Sequence, residues 1–120
     1  ATTTSPVNIA ALLRRAIGPD WRTHFAAVGD ASSAPVKKPH PQVYQQVLRE
    51  LEMPATRCLA FEDSRNGLVA ARAAGLKTII TPTSFSAHHV FDGALRVLPD
   101  LEGTTVADLR AWHAGLAVPA

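Results

Sequence analysis

An apolar run, Cys58-Leu59-Ala60-Phe61, stops abruptly at two adjacent carboxylates, Glu62 and Asp63. A small polar turn with a glycine follows, from Ser64 to Gly67, and then a helix-like run from Leu68 to Ala74. A strand apolar along its whole length belongs in a parallel sheet, buried on both faces. Ligands of such sheets sit beyond the carboxyl ends of the strands. This one segment therefore constrains fold and site together. Two carboxylates at that place suit a hard divalent cation, since magnesium is held by one or two carboxylates, waters and a substrate phosphate. The plainer reading is that both acids favour the N-terminal dipole of the next helix.

The rest of the chain fits one folded unit. A length of 120 residues allows one domain with a real core. Apolar content of 47% and charged content of 18% exclude a disordered chain. Net charge is +2, with Lys and Arg scattered, which argues against the one-sided basic patch of a nucleic-acid binder. The single cysteine, Cys58, forms no internal disulfide and reads as a small buried hydrophobe. That agrees with a reducing, cytoplasmic compartment. No apolar run approaches membrane-spanning length.

Elements alternate along the chain. Ser5-Pro6 reads as an N-cap and first helical residue, and Ile9, Leu12, Leu13, Ala16 and Ile17 mark one helical face up to Gly18-Pro19. Phe25 to Val28 predicts a short strand ending at Gly29-Asp30. Residues 31–41 contain three prolines and read as a loop. Val43, Val47, Leu48 and Leu51 form a second helical stripe, closed by Pro54. The key strand over about 57–61, a helix over about 66–74 ended by Gly75, and a strand from Leu76 to Ile80 follow. An irregular stretch from Ser84 to Gly93 leads to a short edge strand at Arg96 to Leu98. Thr105 with Asp108 predicts a capping box for a last helix ending near Gly115. The alternation indicates an α/β fold with a parallel sheet.

Two further clusters precede the acid pair. Thr2-Thr3-Thr4-Ser5 leads into a helix N-terminus, where hydroxyls and free backbone N–H groups suit a phosphate. Helix capping by Ser5 alone would also satisfy this pattern. Lys37-Lys38-Pro39 places lysine on a stiff loop, either as a point charge for phosphate or as a solvated pair.

Hydroxyls, then lysine before proline, then an acid pair after an apolar strand: this order resembles the haloacid dehalogenase superfamily of phosphohydrolases. The nearest likeness is its CbbY-like, β-phosphoglucomutase-like branch. Thr2 resembles the family's second motif. Val36 to Tyr44 resembles the third, with Lys38 directly before the proline, and Phe61 to Leu68, continuing to Leu76, resembles the fourth.

The resemblance implies a Rossmann-like parallel sheet with helices on both faces. It also implies a Mg²⁺ cofactor held by Glu62 and Asp63, and a catalytic, phosphate-directed charge at Lys38. Thr2, Thr3 and Thr4 would bind phosphate and substrate, with Thr2 also acting in catalysis. The family nucleophile is the first aspartate of an Asp-x-Asp motif, and the second is the general acid/base. No Asp-x-Asp occurs here, where the aspartates are Asp20, Asp30, Asp63, Asp92, Asp100 and Asp108.

The family order thus implies that the first-motif strand and the cap lie upstream, in an N-terminal half that partners this one. Residues 1–120 would be the C-terminal part of the core domain, inactive by itself. The implied activity is hydrolysis of a small phosphorylated metabolite, a sugar phosphate such as xylulose bisphosphate, through an aspartyl-phosphate. Phosphoglycolate hydrolysis and a phosphosugar mutase reaction belong to the same superfamily. A receiver-like phosphoacceptor domain places its acid pair before its lysine, opposite to the order here. A catalytically dead binding domain would also lack the nucleophile, but has no need of the acid pair and lysine. His88, His89, Ser64, Trp21 and Trp112 read as structural.

Overall fold

The computed structural model describes residues 1–115. Helix α1 spans Pro6–Ile17 and starts where local chemistry dictates. Ser5 is extended, its side chain accepts the Asn8 N–H at 3.3 Å, and Pro6 occupies the first helical turn. Gly18, at φ 99°, ends the helix. The apolar stripe forms as its spacing predicts, but only Ile9 on it is buried; Leu12 is 67% exposed. Periodicity sets the face, whereas burial needs an opposing surface.

The predicted strand at Phe25 to Val28 does not form. Thr2 N–H donates to the Gly29 carbonyl at 2.9 Å and Ala31 N–H to the Thr4 carbonyl at 3.0 Å. Thr4 N–H meanwhile turns back to the Thr2 hydroxyl at 3.2 Å, so the neighbouring backbone bends into α1 and no ladder repeats.

Helix α2, Gln42–Leu51, follows the proline-rich loop. It ends because Glu52 adopts a left-handed conformation at φ 53°, before Pro54 is reached. Strand β1 is Leu59–Glu62, helix α3 is Arg65–Ala73 and strand β2 is Lys77–Ile80. Gly75, at φ 88°, supplies the tight exit from α3, with Leu76 N–H reaching the Ala71 carbonyl at 3.0 Å. Strand β3, Arg96–Val97, and helix α4, Val106–His113, are the last elements among the described residues; both bonds of the Thr105/Asp108 capping box are present.

Among the described residues the sheet has three parallel strands in the order β1-β2-β3. Register runs from Leu59 opposite Lys77 to Glu62 opposite Ile80, and Ile79 lies opposite Arg96. On one face Ala60 packs with Val43 and Tyr44 of α2, Ala70 and Ala71 of α3, and Leu76. On the other, Leu59 and Phe61 share a cleft with Val106 and Leu109 of α4. Ile79 and Ile80 in the central strand are fully buried.

Burial of β1 on both faces does not hold: Ala60 is buried but Phe61 is 42% exposed. Strand β1 is an edge among the described residues, so its outward flank lacks the neighbour that an interior strand has. Cys58 is half-buried against the Ala60 face rather than inside the core.

Candidate active site

The turn from β1 into α3 is short, and it fixes the acids. Glu62 is the last residue of the strand, and Ser64 already caps the helix by accepting the Gly67 N–H at 3.2 Å. The Glu62 carboxylate therefore lies against the first turn of α3. A Cβ on Gly67 would stand 1.9 Å from Glu62 Oε1, so only glycine leaves room for it. This explains the glycine of the turn by close approach.

Lys38 reaches Glu62 from the loop before α2. Its Nζ lies 2.9 Å from both carboxylate oxygens and 3.5 Å from the Ala1 carbonyl. The side chains of Lys38 and Glu62 are only 15% and 8% exposed. Tyr44, in the first turn of α2, donates its hydroxyl to Glu62 Oε2 at 2.8 Å. Lys38 Nζ also stands 5.2 Å from the centre of the Tyr44 ring. Burial, and next the Glu62 charge, push the Tyr44 hydroxyl above its ordinary range, so it stays a donor. Removing one partner of this half-buried pair leaves the other charge uncompensated.

Lys37 makes no such bond among the described residues. It is exposed, and its carbonyl accepts the His40 N–H at 3.1 Å. Asp63 is exposed, and among the described residues its carboxylate enters no hydrogen bond or ion pair. Its backbone carbonyl accepts the Ser86 hydroxyl. Thr2, Thr3 and Thr4 are half-buried beside the Ala1 carbonyl that Lys38 approaches; the Thr2 hydroxyl accepts the Thr4 N–H, and Ser5 is committed to its cap. Lysine, glutamate and the N-terminal hydroxyl segment thus gather at one end of the sheet. Asp63 follows Glu62 directly in the chain, and its carboxylate makes no hydrogen bond to that cluster.

Sequence reasoning passed over three contributors. Tyr44 was visible only as part of a motif, yet a buried tyrosine needs a partner for its hydroxyl. Asp30 is buried and accepts Ser32 N–H at 2.9 Å, Ser32 Oγ at 2.8 Å and Ser33 N–H at 3.1 Å. The Ser32 hydroxyl foremost, and then the backbone bonds, hold its carboxyl below the ordinary range despite burial. This turn starts the loop that carries Lys38, and Asp-x-Ser-Ser was its signal. Ser86 was the third. His89 is used structurally, its Nδ1 accepting the Arg65 N–H at 3.3 Å.

Glu62 and Asp63 supply hard carboxylate oxygens, which fit magnesium chemistry. Asp63 offers an uncommitted carboxylate, whereas Glu62 already serves Lys38 and Tyr44. No group of three or more His, Cys, Asp or Glu that could hold a metal occurs among the described residues.

Fold and site define a parallel α/β protein whose charged groups gather where such sheets take their ligands. The chain belongs to the haloacid dehalogenase-like hydrolases, whose family model matches residues 1–75. It is 48% identical to the plasmid-borne protein CbbY of Cupriavidus necator over 136 aligned positions, which cover 100% of this chain and 54% of that protein. The crystal structure of CbbY from Rhodobacter sphaeroides in complex with phosphate superposes with a TM-score of 0.84 at 39% identity, covering 92% of this chain and 49% of that one. A mutant of the same protein in complex with xylulose-(1,5)bisphosphate gives a TM-score of 0.84 at 39% identity, over 91% of this chain and 49% of that one. The chain spans about half the length of these relatives. Among the described residues, no helix is long and apolar enough to cross a membrane.

Proposed function

We propose that residues 1–120 are the C-terminal part of the core domain of a cytoplasmic, magnesium-dependent phosphatase. Its proposed substrate is a sugar phosphate, with xylulose bisphosphate the first choice. The observation that carries this reading is the half-buried Lys38 ammonium, shared between Glu62 and the Ala1 carbonyl beyond the strand ends. A cation there suits an incoming phosphate. Support also comes from the R. sphaeroides CbbY complexes with phosphate and with xylulose bisphosphate.

In this reading an aspartate in the N-terminal half attacks phosphorus; the P–O bond to the sugar breaks, and the departing sugar oxygen takes a proton from the second aspartate of the motif. Water then cleaves the aspartyl-phosphate to free phosphate. Lys38 offsets repulsion between that carboxylate and the phosphate. The Thr2 hydroxyl and the Thr3 amide hold phosphate oxygens as charge redistributes, and Thr4 meets the substrate body. Glu62 and Asp63 would hold Mg²⁺, which supplies the remaining neutralisation of phosphate charge when bound. The test is phosphate release by the full-length protein from xylulose bisphosphate, phosphoglycolate and glucose 1-phosphate, with Mg²⁺ or with chelator. Release that requires Mg²⁺ and is fastest from xylulose bisphosphate is expected. Absence of release from all three would end the phosphatase reading.

Lys38→Ala is expected to lower kcat by about 10² or more, on the scale of a lost electrostatic stabiliser. Thermal unfolding run alongside separates this from the cost of leaving Glu62 unpaired. Lys37→Ala should be nearly silent. Equal losses from both would mean that the loop is merely basic.

A further inference from the structure

We propose that Tyr44 is a positioning residue whose hydroxyl fixes the Glu62 carboxylate for metal binding. This rests on the reading of Glu62 as a magnesium ligand. The ring of Tyr44 belongs to the apolar cluster with Val43, Ala60, Ala70, Ala71 and Leu76. Phenylalanine would fill the same space there. The hydroxyl has one hydrogen-bond partner among the described residues, Glu62 Oε2, at 2.8 Å.

The two oxygens of Glu62 are thereby made unlike. Oε2 takes both Tyr44 and Lys38, while Oε1 takes Lys38 alone and lies over Gly67. A carboxylate held only by the flexible Lys38 ammonium could swing with it. Tyr44, set on the first turn of α2 and packed in the core, cannot follow such a swing. The hydroxyl therefore keeps Glu62 in place when Lys38 turns toward phosphate. Groups that orient a metal-binding carboxylate in this way commonly change metal affinity or activity by 10–100-fold when removed.

The experiment compares Tyr44→Phe with the unaltered full-length protein. Mg²⁺ binding is read by isothermal titration, kcat and KM by phosphate release, and folding by thermal unfolding. The expected result is Mg²⁺ affinity weakened by about tenfold or more, a matching fall in kcat with little change in KM, and an unfolding temperature close to that of the parent. Unchanged Mg²⁺ affinity in the variant, with the parent binding normally, overturns the role of Tyr44 and leaves the phosphatase reading standing. A variant that fails to fold also overturns it, since the hydroxyl would then serve stability. A parent that binds no Mg²⁺ overturns the metal assignment itself.

Discussion

Asp63→Asn in the full-length protein is expected to abolish turnover while leaving the fold intact. The exchange keeps the size of the side chain and removes its charge. Asp63 is exposed, and among the described residues its carboxylate makes no hydrogen bond or ion pair, so the native structure has little to lose. Surface changes of this kind stay within about 0.5 kcal/mol of the parent. Its backbone carbonyl, which holds Ser86, is untouched by the substitution. Any large effect on rate must then come from the lost anionic ligand. Titration of Mg²⁺ into the variant, with thermal unfolding as control, makes the check. A variant with parental metal affinity would exclude Asp63 as a ligand.

Residues 1–120 expressed alone are expected to show no phosphatase activity and no stable monomer. Strand β1 pairs only with β2 among the described residues, so a row of backbone N–H and C=O groups on its other side lacks a strand partner. Such an edge is a template for another chain. Phe61 on that strand, Leu12 on α1 and Phe25 are 42%, 67% and 45% exposed. Ile9, Leu12, Leu13 and Phe25 line an apolar cavity of about 270 Å³. The expected behaviour is aggregation, exchange of strands with a second copy, or rescue by the N-terminal half supplied in trans. Sedimentation, thermal unfolding and phosphate release decide it. A monomer with a cooperative transition would defeat the folding claim, and metal-dependent turnover by that monomer would overturn the proposed mechanism as well.

Much of this architecture was legible because its signals are local. Ser5 and Pro6, Gly75, and the pair Thr105 and Asp108 act within a turn of the backbone they terminate, and each does so here. The acid pair was legible because an apolar strand ends at it. What escaped depends on partners distant in sequence. Phe25 to Val28 has strand-like composition, but the backbone beside it bends at Thr4. Phe61 reads as core, but its exposure is set by whether β1 has a second neighbour. Tyr44 and Glu62 are 18 positions apart, and Lys38 and Glu62 are 24 apart. No period or cap connects residues at such separations. The lysine was picked out from its solvated alternative by the order of motifs, and the tyrosine was seen only as the end of one of them.

The bond from Ser86 to the Asp63 carbonyl bears on how such a protein diversifies. Ser86 is buried, while its neighbour Phe85 is 87% exposed, in the segment that follows β2. Anchor and tip are thus adjacent but separable. Replacements at Phe85 or Ser84 change an exposed tip, while the serine keeps its bond to the Asp63 backbone. A change at Ser86 would instead be felt at the acid pair, whatever the substrate.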